Sequence, residues 1–176
     1  MAITTFQGPV RSLGGFISQG PNAMVEVSAA TATLSVAAYA GKIIKVSAAT
    51  TTITLPAVNV SANPTTSGPG QNPNTQNNLG AVYTFFLPTA ATAVKIITSS
   101  GDFLLGSVTA GISGTAANTT TFGANGSTIV SVNLDGATKG GVAGSYLTIV
   151  AVAANTYLVQ GSLITVGTPA TPFATS

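Results

Sequence analysis

Thr52-Ile53-Thr54-Leu55 alternates two hydroxyl-bearing side chains with two aliphatic ones. Successive side chains of an extended backbone point to opposite sides, so this stretch predicts a β-strand with one buried and one exposed face. Residues 127–132 repeat nearly the same alternation. Half-buried strands of this kind are the basis on which the rest of the chain is interpreted.

Strand patterns recur along the whole sequence. Thr, Val and Ile are the dominant neighbours, and apolar residues do not recur at helical spacing over any long window. Gly, Asn, Ser or Pro separates the strands, which is typical of a sandwich or barrel. We predict an all-β fold, either an antiparallel β-sandwich or a jelly-roll-like barrel, with an extended N-terminal arm. The predicted strands span residues 23–27, 32–36, 42–46, 52–55, 82–87, 93–98, 103–108, 128–133, 146–152, 156–160 and 163–166.

Two of these strands are apolar on both faces. Residues 82–87 (VYTFFL) and 146–152 (YLTIVAV) contain few polar side chains on either side of the extended backbone. Such runs are typical of central strands of a sheet, which is the interpretation we favour. A strand that faces a neighbouring subunit would give the same pattern.

Two segments fall outside the strand pattern. Residues 61–79 contain three prolines, five asparagines and no charge, which predicts a long exposed loop. This loop is either a tolerated insertion or a contact loop in an assembly. In residues 1–21, Gly and Pro interrupt apolar side chains, which indicates an arm laid over another surface or an edge strand. We therefore divide the chain into an N-terminal arm (1–21) and a single β domain (22–176).

Charged and reactive residues are scarce. Five Lys or Arg and three Asp or Glu are present among 176 residues, and there is no His, Cys or Trp. Acid–base catalysis and metal binding need titratable groups, so we predict no enzyme activity, no metal and no cofactor. Asp102 and Asp135 lie beside glycines, and we interpret them as turn residues that bond their own backbone.

The composition also limits the partners. The 28 Thr and 16 Ser residues indicate a neutral polar surface, which gives little repulsion between copies and favours use within an assembly. Lys42 and Lys45 are the only close basic pair, so no nucleic-acid interface is expected. No apolar stretch reaches eighteen residues, so no membrane span is expected. The first residues lack a secretory pattern, which suits a protein made in the cytoplasm.

The chain contains, in order, residues 41–46, 51–56, 80–85, 96–106, 127–132, 144–150 and 155–161, and together these segments resemble a β-rich module of tailed-phage structural proteins. Tyr157 stands where relatives often carry Trp. The opening, Phe6 to Ser12 with Gly15-Phe16, is similar to the start of small capsid-associated proteins of marine and cyanobacterial phages.

The resemblance implies a capsid decoration (cement) protein. Such a protein lies on the outer surface of the virion capsid, usually as a homotrimer, and bridges subunits of the major capsid protein. Arg11 is the only arginine, and a solvated tip is its simpler interpretation. In the decoration protein that the resemblance implies, the capsid-contact arm consists of Phe6, Pro9, Arg11, Leu13 and Phe16.

Two other classes of function stay open at this point. The same β module and the polar loop at 61–79 would suit a phage tail fibre or adhesin tip that recognises host-surface glycans. A lyase or hydrolase acting on surface polysaccharide would need carboxylates that this chain scarcely has.

Overall fold

The computed structural model describes residues 24–61, 77–114 and 119–176, and these contain twelve strands and one short helix. The predicted all-β class is confirmed. Most of the predicted loop at 61–79 lies outside the described residues. So does the predicted N-terminal arm with its candidate contact residues, Phe6, Pro9, Arg11, Leu13 and Phe16. No helix within the described ranges is long and apolar enough to cross a membrane.

The strands form two sheets that enclose a common hydrophobic core. In spatial order, the seven-stranded sheet consists of β1 (Met24–Val27), β3 (Ile43–Val46), β5 (Val82–Phe86), β10 (Tyr146–Ala153), β11 (Thr156–Thr165), β7 (Phe103–Ile112) and β8 (Thr119–Asn125). The five-stranded sheet consists of β12 (Phe173–Ala174), β9 (Ser131–Leu134), β6 (Ala93–Ile97), β4 (Thr50–Thr54) and β2 (Thr31–Thr33). Helix α1 (Val36–Tyr39) connects β2 to β3.

The first six strands alternate between the two sheets, so the chain winds in turns that each add one strand to each sheet. The chain adds a strand to the other sheet before it returns to the first, so successive strands of one sheet run in the same direction. Strands β1, β3 and β5 are therefore parallel, and so are β2, β4 and β6. The sandwich is confirmed. Its sheets are mixed rather than wholly antiparallel, since five of the ten pairings are parallel.

A hairpin completes the seven-stranded sheet. Strands β10 and β11 are joined by the turn Ala154-Asn155, and they lie between β5 and β7. Asn155 has a φ of 57°, a left-handed conformation that asparagine tolerates better than most residues. The central positions predicted for residues 82–87 and 146–152 are confirmed, because β5 and β10 are the third and fourth of seven strands.

The core follows the alternation of the sequence. Ile53 and Leu55 are fully buried while Thr52 and Thr54 are partly exposed, which confirms the half-buried strand predicted there. Burial of a large apolar side chain contributes about 1.5–3 kcal/mol, so this face supplies much of the folding free energy. The largest fully buried side chains include Tyr83, Phe85, Leu147, Ile149 and Tyr157.

Three local predictions differ from the structure. Val36 was predicted to end a strand but begins α1, where the Ser35 hydroxyl caps the helix by accepting a hydrogen bond from the Ala38 N–H (3.3 Å). The two strands predicted at 156–160 and 163–166 form the single strand β11. Strand β8 was not predicted, because it is rich in Thr and lacks aliphatic alternation.

Buried Asn78 joins the two chain segments that flank residues 62–76. Its Oδ1 accepts from the Asn59 N–H and its Nδ2 donates to the Ala57 carbonyl, both at 2.8 Å. The Asn78 backbone N–H also donates to the Asn59 carbonyl (2.9 Å). These three bonds satisfy backbone groups that no strand partner reaches.

Candidate functional site

The outer face of the seven-stranded sheet is rich in exposed apolar side chains. It carries the side chains that point away from the core, and we call it the outer face. Six of the nine large apolar side chains that are exposed in the described residues lie here, each between 36% and 49% exposed. These six are Met24, Ile43, Phe86, Leu105, Tyr146 and Val152.

Strand register aligns apolar side chains into a row across four strands. Val82 is opposite Val150, Val150 is opposite Leu158, and Leu158 is opposite Leu105. At the other end of the same strands, Tyr146 is opposite Phe86. A stripe of neutral polar residues lies between these two apolar groups, with Thr84, Thr148, Gln160 and Ser107 in register.

Charge is confined to one margin of the outer face. Glu26 of β1 and Lys45 of β3 are in register and form an ion pair, with 3.4 Å between Oε1 and Nζ. Five neighbouring strands of this sheet, in the spatial order β5, β10, β11, β7 and β8, carry no charge on their outward-pointing residues in the described structure. A mixed apolar and hydroxyl surface of this size without charge is typical of the buried centre of a protein interface.

The outer face is large enough for a stable contact. Its strands are up to ten residues long. With a rise of about 3.3 Å per residue and a spacing of about 4.8 Å between strands, the seven strands together cover on the order of 760 Å². Stable interfaces bury about 800 Å² per partner, so this face alone approaches the required area.

The two aspartates do not form a catalytic pair, because each carboxylate is engaged by different groups. Asp135 accepts from the backbone N–H groups of Ala137 and Lys139 (both 2.8 Å) and from the Thr138 hydroxyl (3.1 Å). Burial acts to raise its pKa, but these hydrogen bonds hold the pKa of Asp135 below its ordinary value. The turn interpretation of Asp135 is therefore confirmed.

The turn predicted at Asp102 is present, because its backbone N–H donates to the Ser99 carbonyl (3.1 Å), but the prediction for its side chain was wrong. Its carboxylate is buried and accepts from the backbone N–H of Val58 (2.9 Å), which is distant in sequence, instead of bonding its own turn. Burial raises the pKa of Asp102, and the Val58 hydrogen bond opposes that effect. Asp102 thus fastens the segment after β4 to the turn before β7. Within the described residues, no group of three metal-ligating side chains is found.

Two buried tyrosines lie near the hydrogen bond between Asp102 and Val58. The rings of Tyr83 and Tyr157 pack edge to face with centroids 6.4 Å apart. The Tyr157 hydroxyl donates to the Pro56 carbonyl at 2.6 Å, whereas the Tyr83 hydroxyl is buried without a hydrogen-bond partner in the described structure. Burial raises the pKa of Tyr83 to about 12. Both phenols therefore stay neutral at physiological pH.

The tyrosine pair provides a matched test of the core. We expect Tyr157→Phe to lower the free energy of unfolding by about 1–2 kcal/mol, because the Pro56 carbonyl loses its donor. We expect Tyr83→Phe to change it by less than about 0.5 kcal/mol or to stabilise the fold, since its hydroxyl has no partner to lose. Urea unfolding of both variants measures the difference. Equal losses would show that the Pro56 hydrogen bond is not what Tyr157 contributes.

A concave surface lies at the end of the five-stranded sheet where β4 and β6 begin and β9 ends. It is a groove of about 520 Å³. Thr52, Lys95 and Asn133 line it and are in register across three strands. Lys139 and Asp135 also line it, and neither lysine forms an ion pair within the described part of the chain.

The glycine-rich segment 140–144 packs within the fold and is not arranged as a binding loop. Gly140 and Gly141 are buried, and the Gly144 N–H donates to the Leu87 carbonyl (2.9 Å). No helix follows this segment in the structure, so the anion-binding geometry of a phosphate loop is missing.

The residues predicted as a contact arm cannot be placed against the outer face, because they lie outside the described ranges. The outer face itself has a signal in the sequence, namely the two strands that are apolar on both sides. Comparison of the chain with protein-family models, with curated proteins and with solved structures found no match.

Proposed function

We propose that the chain is a structural virion protein that decorates the outer surface of a phage capsid and stabilises the head. The observation that carries this proposal is the outer face, an apolar and hydroxyl-rich surface without charge from β5 to β8. The free energy falls when another protein covers such a surface, because its apolar area is removed from water. The resemblance of the sequence to phage capsid-associated proteins supports a capsid lattice as that other protein.

Capsid decoration also suits the chemistry of the chain. A protein that acts by covering a lattice needs no nucleophile, acid or metal, and many weak contacts on a repeating shell add up through avidity. The major capsid protein and other copies of the chain are the proposed partners. No cofactor is required.

Binding to empty shells tests the proposal. Purified chain is added to capsids that were assembled without it, and we expect saturable binding together with a higher temperature of shell rupture. The physical reason is linkage: a ligand that binds only the intact shell stabilises it. No binding, or binding without a change in rupture temperature, would contradict the proposal.

The groove favours a second candidate function, a tail fibre or adhesin tip. Hydroxyl, amide, lysine and aspartate side chains line it, and these groups suit the hydroxyls of a sugar. This function requires the chain on the tail, so immunogold labelling of particles separates the two candidates by position. It also requires that Lys95→Met weaken binding to cells.

A further inference from the structure

The seven-stranded sheet ends in an edge strand that lacks the usual protection. Natural proteins guard exposed edges with charge, proline, bulges or very short strands, because unpaired backbone groups there can pair with another chain. Strand β8 has seven residues, TTTFGAN, with no charge and no proline, and its pairing with β7 is continuous.

The other three sheet edges are protected. Strand β2 has three residues and β12 has two, so both are too short to template a long pairing. Strand β1 has four residues and carries Glu26 in its ion pair with Lys45. The contrast makes β8 the only long neutral edge in the described structure.

Within the described residues, no second strand pairs with the outward side of β8. In an antiparallel pair, alternate residues direct their N–H and C=O groups away from the partner strand. No backbone hydrogen bond joins β8 to any element other than β7 in the described residues. Strand β12 lies beside β8 but pairs with β9.

We propose that β8 pairs with β8 of a second copy, antiparallel about a twofold axis, to form one continuous sheet of fourteen strands. Phe122 is the central residue of the strand, so the register that pairs all seven residues places Phe122 opposite its own copy. Thr121 then faces Gly123 of the other copy. Phe122 is only partly buried in the single chain, and its ring gains an aromatic cross-strand partner in this register.

A copy of the same strand is a suitable partner for β8 because the strand is neutral along its whole length. A twofold contact requires the same surface to fit itself, and a neutral strand centred on an aromatic residue meets no repulsion in that arrangement. The resulting sheet would also join two outer faces into one uncharged surface. A twofold contact yields a dimer, which differs from the trimer that the resemblance implies.

Charge placement tests the register. Thr121 and Gly123 are exposed and share a face of β8, and a Cβ added at Gly123 meets no atom closer than 3.9 Å. Thr121→Lys with Gly123→Lys places like charges opposite each other across the axis. Thr121→Lys with Gly123→Glu places opposite charges there and is the matched control. The neighbouring residues on β7, Thr109 and Ser107, are neutral.

Analytical ultracentrifugation of the purified proteins measures whether each one is a monomer or a dimer. We expect the unmodified chain to show twice the 17.2 kDa chain mass at micromolar concentration. We expect the two-lysine variant to dissociate at least tenfold more readily and the lysine–glutamate variant to remain dimeric. Thermal unfolding, extrapolated to low protein concentration, must be alike for both variants to show that each folds.

A monomeric or trimeric native chain, or a two-lysine variant as dimeric as the native chain, would overturn the proposal. So would equal dissociation of both double variants. Shell binding is measured separately, so a failure here leaves the proposed capsid function standing, and a failure of shell binding leaves the dimer standing.

Discussion

The Gly136→Ala variant is expected to lose about 3 kcal/mol or more of its free energy of unfolding. Gly136 has a φ of 67°, and a Cβ built on it overlaps the Ala91 carbonyl oxygen. The left-handed backbone alone costs a non-glycine residue about 1–2 kcal/mol, and overlap with a rigid backbone atom adds about 1–3 kcal/mol.

Relief of this overlap would disturb the surrounding turn. The Gly136 N–H donates to the Gly140 carbonyl, and the Ala91 N–H donates to the Gly141 carbonyl, both at 2.8 Å. Movement of either segment breaks these bonds and draws Leu134 away from its place in the core. Urea unfolding measures the loss.

Gly41 provides the matched control for this variant. Its φ of 74° is nearly the same, but a Cβ there meets nothing within 4 Å. Gly41→Ala should therefore lose only the backbone part, about 1–2 kcal/mol. If both variants lost the same amount, the close packing of the 135–141 turn against Ala91 would not be a source of stability.

The second large effect concerns the outer face. We expect Leu105→Asp and Tyr146→Asp, made separately, to weaken binding to capsid shells by roughly 100-fold. A carboxylate forced into an apolar contact without a partner costs several kcal/mol, and roughly 100-fold corresponds to about 2.8 kcal/mol. Both side chains are more than two-fifths exposed in the single chain, so the fold itself should change little.

Thr31→Asp is the control for these variants. Thr31 is exposed on β2 of the five-stranded sheet, so the substitution adds the same charge away from the uncharged strands of the outer face. We expect it to bind shells as the native chain does, in a titration followed by sedimentation of the shells. Equal weakening by Thr31→Asp would mean that added charge, and not coverage of the outer face, lowers the affinity.

The strands were predictable from the sequence where one face is buried. Thr52-Ile53-Thr54-Leu55 shows its period directly, and β5 and β10 were recognisable as central because they are apolar on both faces. Strand order was not predictable. The parallel winding of β1 to β6 depends on contacts between residues far apart in sequence, which alternation within one strand does not encode.

Gly161 explains why β11 is longer than the sequence predicts. The pattern predicts separate strands at 156–160 and 163–166, but Gly161 lies inside β11, where a Cβ would overlap the Tyr146 carbonyl of β10. Glycine here permits a close approach of two backbones and does not mark a turn. The partner of the Asp102 carboxylate was not predictable either, because Val58 lies 44 residues away in sequence.

The candidate site was only partly predictable. The apolar pattern of two strands indicated a possible neighbour, but the alignment of Val82, Val150, Leu158 and Leu105 into one row depends on register across four strands. The unprotected edge at β8 was not predictable, because the strand itself was not recognised.

The central claim is the proposed capsid function, and cryo-electron microscopy of the phage particle that this proposal implies tests it most directly. We expect density for the sandwich on the outer surface of the head, with the outer face of the seven-stranded sheet covered by neighbouring protein. A chain that is missing from the particle, lies on the tail, or turns Leu105 and Tyr146 toward solvent would contradict the account.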